Sequence, residues 1–478
     1  MGSTTRNFLL TRIVAPLPIL LGCAIFISSA SADPETFVPP PYKALRYDED
    51  YTYLQDPAHR TDFWDPIKFI PLSDSPNFYL SFGGELRERF EYYSAPAFDV
   101  HDERSNGYLL HRLLLHADLH LGRYLRTYVE FGDELEAGKD SPLSPTDVNR
   151  LDLQQGFLDV NMPIAPDRGI DPTLRVGRQE IQYGSQRLVS VREPPNIRRS
   201  FDGFRLNDNI GSIKLGALAV RPVNVQDGIF DDETNGHQAL WGTYNTFPVA
   251  ALPGLNLDVY YLGFYNDQAK FGGVLGDETR HSFGTRIFGA AAGWDWNWEL
   301  VGQVGSFHGD NIRAWTAASD SGYTFKTAPW TPRLGLKANI ASGDDNSKDH
   351  ELGTFNPLFP RLGYFSEAAL VAPSNFFDVQ PSITVQPWDN LTVSLSWDIL
   401  WRETTNDAIY IEPNSPVNGT AGHGGNYTGN QIALDADWQI DRHIEAKATY
   451  VHFFAGNALK SAGGKDVDFV MFSTAYKF

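Results

Sequence analysis

The chain has 478 residues and is acidic, with 59 Asp and Glu against 39 Lys and Arg and a formal net charge of −20 at pH 7. This balance disfavours nucleic acid as a partner, because an acidic surface repels a phosphate backbone. The single cysteine, Cys23, excludes disulfide cross-links and a cysteine-ligated metal site within the chain.

The first 32 residues have the pattern of a secretory signal peptide. Arg6 and Arg12 precede an apolar stretch over residues 13–27, and Ala30-Ser31-Ala32 forms a small-residue cleavage pattern. The sequence LLGC at 20–23 resembles a lipoprotein cleavage box, but the apolar stretch continues beyond it. We therefore expect export and removal of residues 1–32 rather than lipidation.

Two regions follow the signal peptide. Residues 33–75 are rich in Pro and acidic groups and lack apolar alternation, so this leader is predicted to be a periplasmic tail, a lumen plug or a disordered segment. After residue 32 no run of about 18 apolar residues occurs, which excludes a helical membrane span. Residues 76–478 instead carry the pattern of membrane-crossing strands.

Residues 76–478 are predicted to form a transmembrane, antiparallel, up-and-down β-barrel with long extracellular loops. In such a strand every second side chain faces lipid and is apolar, while the others face the lumen and can be polar. Between Phe78 and Tyr93 one face carries Phe82, Leu86 and Phe90, whereas the other carries nearly all the charge. An aromatic content of 13% suits pleated surfaces and membrane interfaces.

The same alternation recurs along the chain and predicts about 18 strands, an even number as expected for a single-chain barrel. It is clear over residues 109–121, 390–402 and 431–440, and the last strand runs from Val470 to the terminal Phe478, which resembles the assembly signal of outer-membrane barrels. The weaker segments are 123–133, 151–162, 173–181, 201–206, 213–221, 237–247, 255–265, 281–292, 294–307, 312–316, 331–341, 366–371, 376–386 and 443–454.

A barrel of about 16 to 18 strands is wide enough for an aqueous lumen, so transport is the expected function. Seven arginines lie between Arg175 and Arg205, opposed by the three carboxylates of Glu180, Glu193 and Asp202. Arginine keeps its charge and binds a carboxylate through two parallel hydrogen bonds, which suits the passage of an acidic polymer. The alternative interpretation is that these arginines pair with acidic neighbours and stabilise strands and loops.

Three segments of this region resemble the alginate export family of outer-membrane proteins. They read LRVGRQE at 174–180, YGSQRL at 183–188 and NIRRSFDGFR at 196–205, and further similar segments occur at 45–50, 82–89, 219–223 and 354–360. The resemblance covers nearly all of the mature chain. It implies an 18-stranded barrel with an arginine-rich constriction that conducts a polyuronate.

By position, the resemblance implies that Arg112 and the Arg178-Gln179 pair are constriction residues, with Arg361 supplied by a loop that folds into the lumen. Glu180 stands where the family has another arginine, and Gln155 stands where a basic residue is expected. Both departures weaken the positive field, so the solute need not be alginate. The predicted substrate-binding residues are Arg112, Arg175, Arg178, Gln179, Arg187, Arg199, Asp202 and Arg361.

Other chemistries are weakly supported. No nucleophile elbow of the G-x-S-x-G type is present, and no catalytic function is predicted. His116 and His120 share one face of a strand, but two histidines do not make a metal site. The acidic loop at 342–346 offers oxygen ligands that would suit calcium, with solvated turn residues as the alternative, and no other cofactor is expected.

Three functions remain open at this stage, and all place the chain in the outer membrane. The first is a passive channel for an anionic, alginate-like polysaccharide, working with periplasmic export partners. The second is a porin for small organic acids or aromatic solutes. The third is a plugged barrel that anchors acidic loops for a partner. The length of the transported sugar polymer distinguishes the first function from the second, and ion conductance distinguishes the third function from both.

Overall fold

The computed structural model describes residues 37–100, 105–140, 144–250 and 252–478. Residues 41–478 form one compact unit, and residues 37–40 have no regular secondary structure. The predicted signal peptide at 1–32 lies outside the described residues.

The described residues form a closed antiparallel barrel of 18 strands, as the alternation predicts. The strands are β1 Phe78–Tyr93, β2 Asn106–Leu121, β3 Leu125–Ala137, β4 Asn149–Asn161, β5 Thr173–Glu180, β6 Ser200–Ile210, β7 Ile213–Asn224, β8 Gln238–Pro248, β9 Leu255–Phe271, β10 Val274–Ala291, β11 Trp294–Phe307, β12 Asp310–Thr324, β13 Arg333–Ala341, β14 Phe376–Trp388, β15 Leu391–Trp401, β16 Tyr427–Gln439, β17 Ile444–Ala455 and β18 Val467–Lys477.

Each strand pairs with its neighbour in sequence, and the barrel closes where β1 pairs with β18. The closing register runs from Glu85 opposite Lys477 to Tyr93 opposite Phe469. Among the described residues, closure gives every barrel strand a partner on both sides, which a barrel in lipid requires because hydrocarbon offers no hydrogen bonds to the backbone.

Short elements connect or precede the barrel strands. The helices are α1 Asp65–Lys68 and α2 Asn457–Ser461, and the 3-10 turns are Arg46–Asp48, Thr52–Gln55, Pro57–His59, Pro96–Asp99 and Pro166–Arg168. Short strands of two residues each occur at Ile70–Pro71, Glu233–Thr234, Glu351–Leu352, Tyr410–Ile411 and Ser415–Pro416. Within the described residues, no helix is long and apolar enough to cross a membrane.

The two faces of each strand differ as the sequence predicts. On β1, Phe82, Leu86 and Phe90 are exposed on the outer surface, while Glu85 and Arg89 are buried inside the barrel. Alternation therefore separates lipid-facing from lumen-facing side chains, because successive side chains of a strand point to opposite faces.

Several predicted strands are longer in the structure, and two predictions differ most from it. Residues 366–371 form no strand, because Ala368, Leu370 and Val371 are buried in the apolar core of a long loop, and a short apolar run suits such a loop as well as a strand. The strand predicted at 312–316 is part of the longer β12. Residues 317–324 are small or polar on both faces, which hides their alternation.

The two ends of the barrel differ in connection length. At one end, the loop end, seven connections are long and two are tight turns, at 272–273 and 308–309. The long loops span 94–105, 138–148, 181–199, 225–237, 342–375, 402–426 and 456–466. At the other end, the turn end, connections are shorter, and β1 starts and β18 ends there. In outer-membrane barrels long loops are extracellular and short turns periplasmic.

Loops 181–199 and 342–375 fold towards each other inside the barrel. The backbone N–H of Ser190 donates to the carbonyl of Phe359 at 2.9 Å, and the N–H of Phe359 donates to the carbonyl of Leu188 at 2.9 Å. Apolar side chains from both loops, including Val189 and Phe355, join one buried cluster. These loops narrow the lumen.

Candidate functional site in the lumen

Arg112 lies at the centre of a charged cluster on the inner wall. Its guanidinium is fully buried and donates to Glu85 Oε1 at 2.7 and 3.1 Å, and it also contacts the Glu193 carboxylate of loop 181–199. Arg198 contacts the same carboxylate at 2.8 Å. Arg112 therefore ties the loop to the wall and has its charge compensated by two carboxylates.

Glu193 is the acidic centre of this cluster. Its side chain is 43% exposed and lines a small cavity together with Glu85 and Arg112. Burial alone would raise the pKa of Glu193, but the guanidinium groups of Arg112, Arg198 and Arg87 hold it well below its ordinary value. Glu193 thus remains a carboxylate that neutralises part of the arginine cluster.

Arg175 and Arg178 sit on β5 and also have carboxylate partners. Arg175 donates to both oxygens of Asp159 at 2.7 and 2.8 Å and stacks over the ring of Tyr47 at 4.0 Å. Arg178 donates to Asp202 Oδ1 at 3.0 Å, and the adjacent Gln179 is fully buried. Arg175 faces the lumen, but the paired Arg178 and Asp202 lie on the outer face of the sheet, the face on which Phe204 is exposed, so their prediction as lumen residues is wrong. Successive strand residues point to opposite faces, and Arg175 and Arg178 are three residues apart.

Arg187 and Arg199 belong to loop 181–199 and its end. Arg187 donates to Glu299 Oε2 of β11 at 2.7 Å and to the Tyr364 hydroxyl at 2.9 Å. Arg199 lies over the ring of Phe359 at 5.0 Å, and burial lowers its pKa well below the ordinary value. Both arginines therefore hold loop contacts across the barrel.

Arg361 differs from the other predicted arginines, because 45% of its side chain is exposed. It donates to Glu367 Oε1 at 2.9 Å, and Glu367 also contacts Arg89 at 3.3 Å. Burial would raise the pKa of Glu367, but Arg89 and Arg361 lower it below its ordinary value. Arg361 is the predicted residue most accessible to a solute.

Two cavities meet at Arg361, Glu367 and Lys447. The smaller, of about 60 Å³, reaches Arg112 and Glu85, and the larger, of about 470 Å³, extends along the opposite wall. The larger cavity contains four basic and four acidic side chains, which are Arg333, Lys337, Arg361, Lys447, Asp320, Glu367, Asp435 and Asp437. Hydroxyl groups of Ser382, Thr384, Ser394 and Ser396 line the same space.

Sequence reasoning did not select Lys337, Lys447 or the hydroxyl row as site residues. The available signal was the polar face of residues 390–402, where Ser394 and Ser396 alternate with apolar residues. Isolated lysines and serines on separate strands give no local pattern, so their convergence depends on barrel closure.

The leader extends into the lumen from the turn end as far as the start of loop 181–199. Arg46 donates to the carbonyls of Gly84 and Phe478 at 2.9 and 2.8 Å, and the hydroxyl of Tyr47 donates to the carbonyl of Glu180 at 2.8 Å. Lys68 is buried with its ammonium 5.0 Å from the ring centre of Tyr51. Burial and the nearby Arg46 lower the pKa of Lys68 to about 7.

Comparison with known proteins gives a family and a fold. The sequence model of the family described as alginate export matches residues 78–473, which is nearly the whole barrel. No curated protein matches the sequence. Several solved structures share the fold at low sequence identity.

The OccAB1 crystal structure from Acinetobacter baumannii has a TM-score of 0.55 and 12% identity, covering 83% of this chain and 96% of that one. OccK2 (OpdF) from Pseudomonas aeruginosa, solved in complex with glucuronate, has a TM-score of 0.54 and 10% identity, covering 86% and 98%. The outer membrane protein OprD from Pseudomonas aeruginosa has a TM-score of 0.53 and 11% identity, covering 83% and 94%.

At these identities the likeness concerns the fold, and the fold is that of outer-membrane channels. A closed 18-stranded barrel with an apolar outer face and a polar lumen crosses the outer membrane as a multi-pass protein. The match over residues 78–473 agrees with the resemblance seen in the sequence. The chain belongs to the alginate export family.

Proposed function

We propose that this outer-membrane channel conducts an anionic polysaccharide of the polyuronate class, such as alginate, and catalyses no reaction. Family membership supports a polysaccharide as the solute. The observation that carries the proposal is the cavity of about 470 Å³, where the half-exposed Arg361 meets a row of hydroxyl groups. A guanidinium binds carboxylates in pairs of hydrogen bonds, and hydroxyls bind sugar hydroxyls.

The charges of this cavity explain how an acidic chain can admit an acidic solute. Its four basic and four acidic side chains balance, although the whole chain has a net charge of −20. The lumen along this wall therefore does not repel a carboxylate as the average surface would. The leader reaches the turn end of the barrel, which faces the periplasm in outer-membrane barrels. We therefore include export partners in the periplasm in this proposal.

A second candidate is a porin for small organic acids. The inward-folded loops 181–199 and 342–375 narrow the lumen, which favours a solute of single-sugar size. The glucuronate complex of OccK2, a structural relative, makes a uronate monomer a sensible test solute.

Single-channel recording of the mature barrel in a planar bilayer distinguishes these functions. Under a salt gradient we expect anion preference, because the smaller cavity is lined by six basic and four acidic side chains. We also expect reversible block by polyuronate chains at a much lower concentration of sugar residues than by monomeric uronate. Arg361→Ala should weaken block by the polymer. Arg313→Ala should not, because Arg313 lies on the outer face of β12 with 76% of its side chain exposed.

Each other outcome has a definite meaning. Equal block by monomer and polymer would reject the polysaccharide and support the small-acid porin. Cation preference would reject both functions. Absence of conductance would leave a plugged barrel that serves as a surface anchor.

A further inference from the structure

Three aspartates gather where loop 225–237 docks on β4. Asp152 Oδ2 accepts the backbone N–H groups of Asp231 at 2.8 Å and Asp232 at 3.1 Å. The three carboxylates each place an oxygen within 4.8 Å of the others. Carboxylates this close repel one another unless a cation lies between them.

The side chain of Asn149 is also directed at this cluster. Its side chain is 98% buried, and its amide nitrogen donates to Asp232 Oδ2 at 3.0 Å. Its amide oxygen, Oδ1, has no hydrogen-bond partner among the described residues. A buried amide oxygen without a donor is costly, and a bound cation would satisfy it.

Glu134 adds an uncompensated charge beside the cluster. It lies opposite Asn149 on β3, is fully buried, and neither carboxylate oxygen has a hydrogen-bond partner among the described residues. Its carboxylate folds over Gly132, the strand partner of Asp152, since a Cβ on Gly132 would lie 2.6 Å from Glu134 Oε1.

The nearest arginine does not balance these charges. Arg178 approaches Asp152 at 3.9 Å, but its shorter ion pair, at 3.0 Å, is with Asp202. The carboxylates of Asp152, Asp231 and Asp232 therefore face one arginine that is already paired.

We propose that Asp152, Asp231, Asp232 and the amide oxygen of Asn149 form a binding site for a divalent cation, with calcium as the preferred ion. Calcium accepts mixed carboxylate and amide oxygens in flexible geometry, as this set provides, whereas magnesium demands a stricter octahedron. The ion would fasten loop 225–237 to β4 at the loop end of the barrel. Asp231 and Asp232 are partly exposed, so the ion can enter from water.

Hydrogen exchange of residues 226–236 tests the site directly, using purified full-length barrel in detergent, free of lipopolysaccharide, with either chelator or calcium alone. We expect calcium to slow exchange of this loop about tenfold or more, saturating at a concentration on the order of 0.1 to 1 mM, as for extracellular calcium modules. Equilibrium dialysis should show one ion lost per barrel when the site is removed.

Two variants of the site are compared, so that the test can still be read if one of them fails to fold. Asp231→Asn preserves shape and removes one charge, and Asn149→Ala removes the amide oxygen while leaving all carboxylates. Both should weaken the calcium response at least tenfold. The matched control is Asp345→Asn in the acidic loop at 342–346, the site predicted from sequence, and it should respond like the natural chain.

Two outcomes would overturn the proposal. The first is an unchanged exchange rate with and without calcium in the natural chain. The second is a calcium response that persists in Asp231→Asn and Asn149→Ala or disappears in Asp345→Asn.

Discussion

Two walls of the same lumen are built from different side chains. On β1 to β6 many inward residues are long and charged, and Arg112 and Arg175 each contact a carboxylate. On β13 to β17 many inward residues are small hydroxyls, and a cavity of about 470 Å³ remains. The first will be called the filled wall and the second the open wall.

The difference shows that the ion pairs of the filled wall both compensate buried charges and hold neighbouring segments in place. Buried guanidinium groups need carboxylate partners, because an unpaired charge in a low-dielectric interior is very costly. On the filled wall these pairs also hold the leader and loop 181–199, as Arg198 does through Glu180 and the carbonyl of Ala44. Short polar side chains leave space, so the open wall is where water and solute fit.

The largest expected effect comes from breaking an ion pair of the filled wall. Arg112→Met would leave Glu85 buried without its cation and should lower the free energy of unfolding by about 3 to 5 kcal/mol. Urea unfolding in detergent, followed by tryptophan fluorescence, measures this change. Arg361→Met, beside the open wall, should lower the free energy of unfolding by less than about 1 kcal/mol, because the ion pair between Arg361 and Glu367 is solvated. Equal losses would contradict the distinction between the walls.

The leader on the filled wall should dock more tightly as pH rises. Lys68 has a pKa of about 7 when docked, below its ordinary 10.5, so under pH 7 docking must bury a protonated ammonium. This penalty is full below pH 7 and disappears as pH approaches 10.5. Between pH 7 and pH 9 docking should strengthen by about 2 to 3 kcal/mol.

Hydrogen exchange of residues 41–75 measures this docking when the rate at each pH is divided into the intrinsic rate at that pH to give a protection factor. Lys68→Met should remove the pH dependence, whereas Lys43→Met, on the exposed part of the leader, should retain it. A natural chain whose leader has equal protection factors at both pH values would refute the prediction.

Glu134 is the exception on the filled wall, because its buried carboxylate lacks a partner among the described residues. Glu134→Gln should therefore raise the free energy of unfolding by about 1 to 3 kcal/mol in the presence of chelator. Thermal unfolding in detergent checks this. Glu136→Gln on the same strand is the control, and a destabilised Glu134→Gln variant would show that the charge is compensated.

The smallest effect concerns space on the open wall. Ser396→Trp adds bulk to the larger cavity and should lower single-channel conductance by roughly twofold or more, because conductance follows the free cross-section. Leu395→Trp adds bulk on the lipid side of the same strand, where Leu395 is exposed, and should leave conductance unchanged. If both variants conduct like the natural chain, the open wall is not the path.

Much of the fold was predictable from sequence. Apolar and polar residues alternate along many strands, and the faces of β1 and β15 are buried or exposed as this pattern predicts. The segment at 366–371 failed because its apolar residues are buried inside a loop rather than facing lipid. The site was predictable only in part. Arg361 was selected and is exposed, while Lys447 and Ser396 were not selected.

The sequence by itself determined which side chains face lipid and which face the lumen, because the strand period of two is a local property. It also determined the family, through segments spread along the barrel. Only the tertiary structure decided which lumen charges are paired. Arg187 and Glu299 are 112 residues apart yet lie 2.7 Å from each other, because barrel closure brings distant strands together and Coulomb attraction depends on distance in space alone.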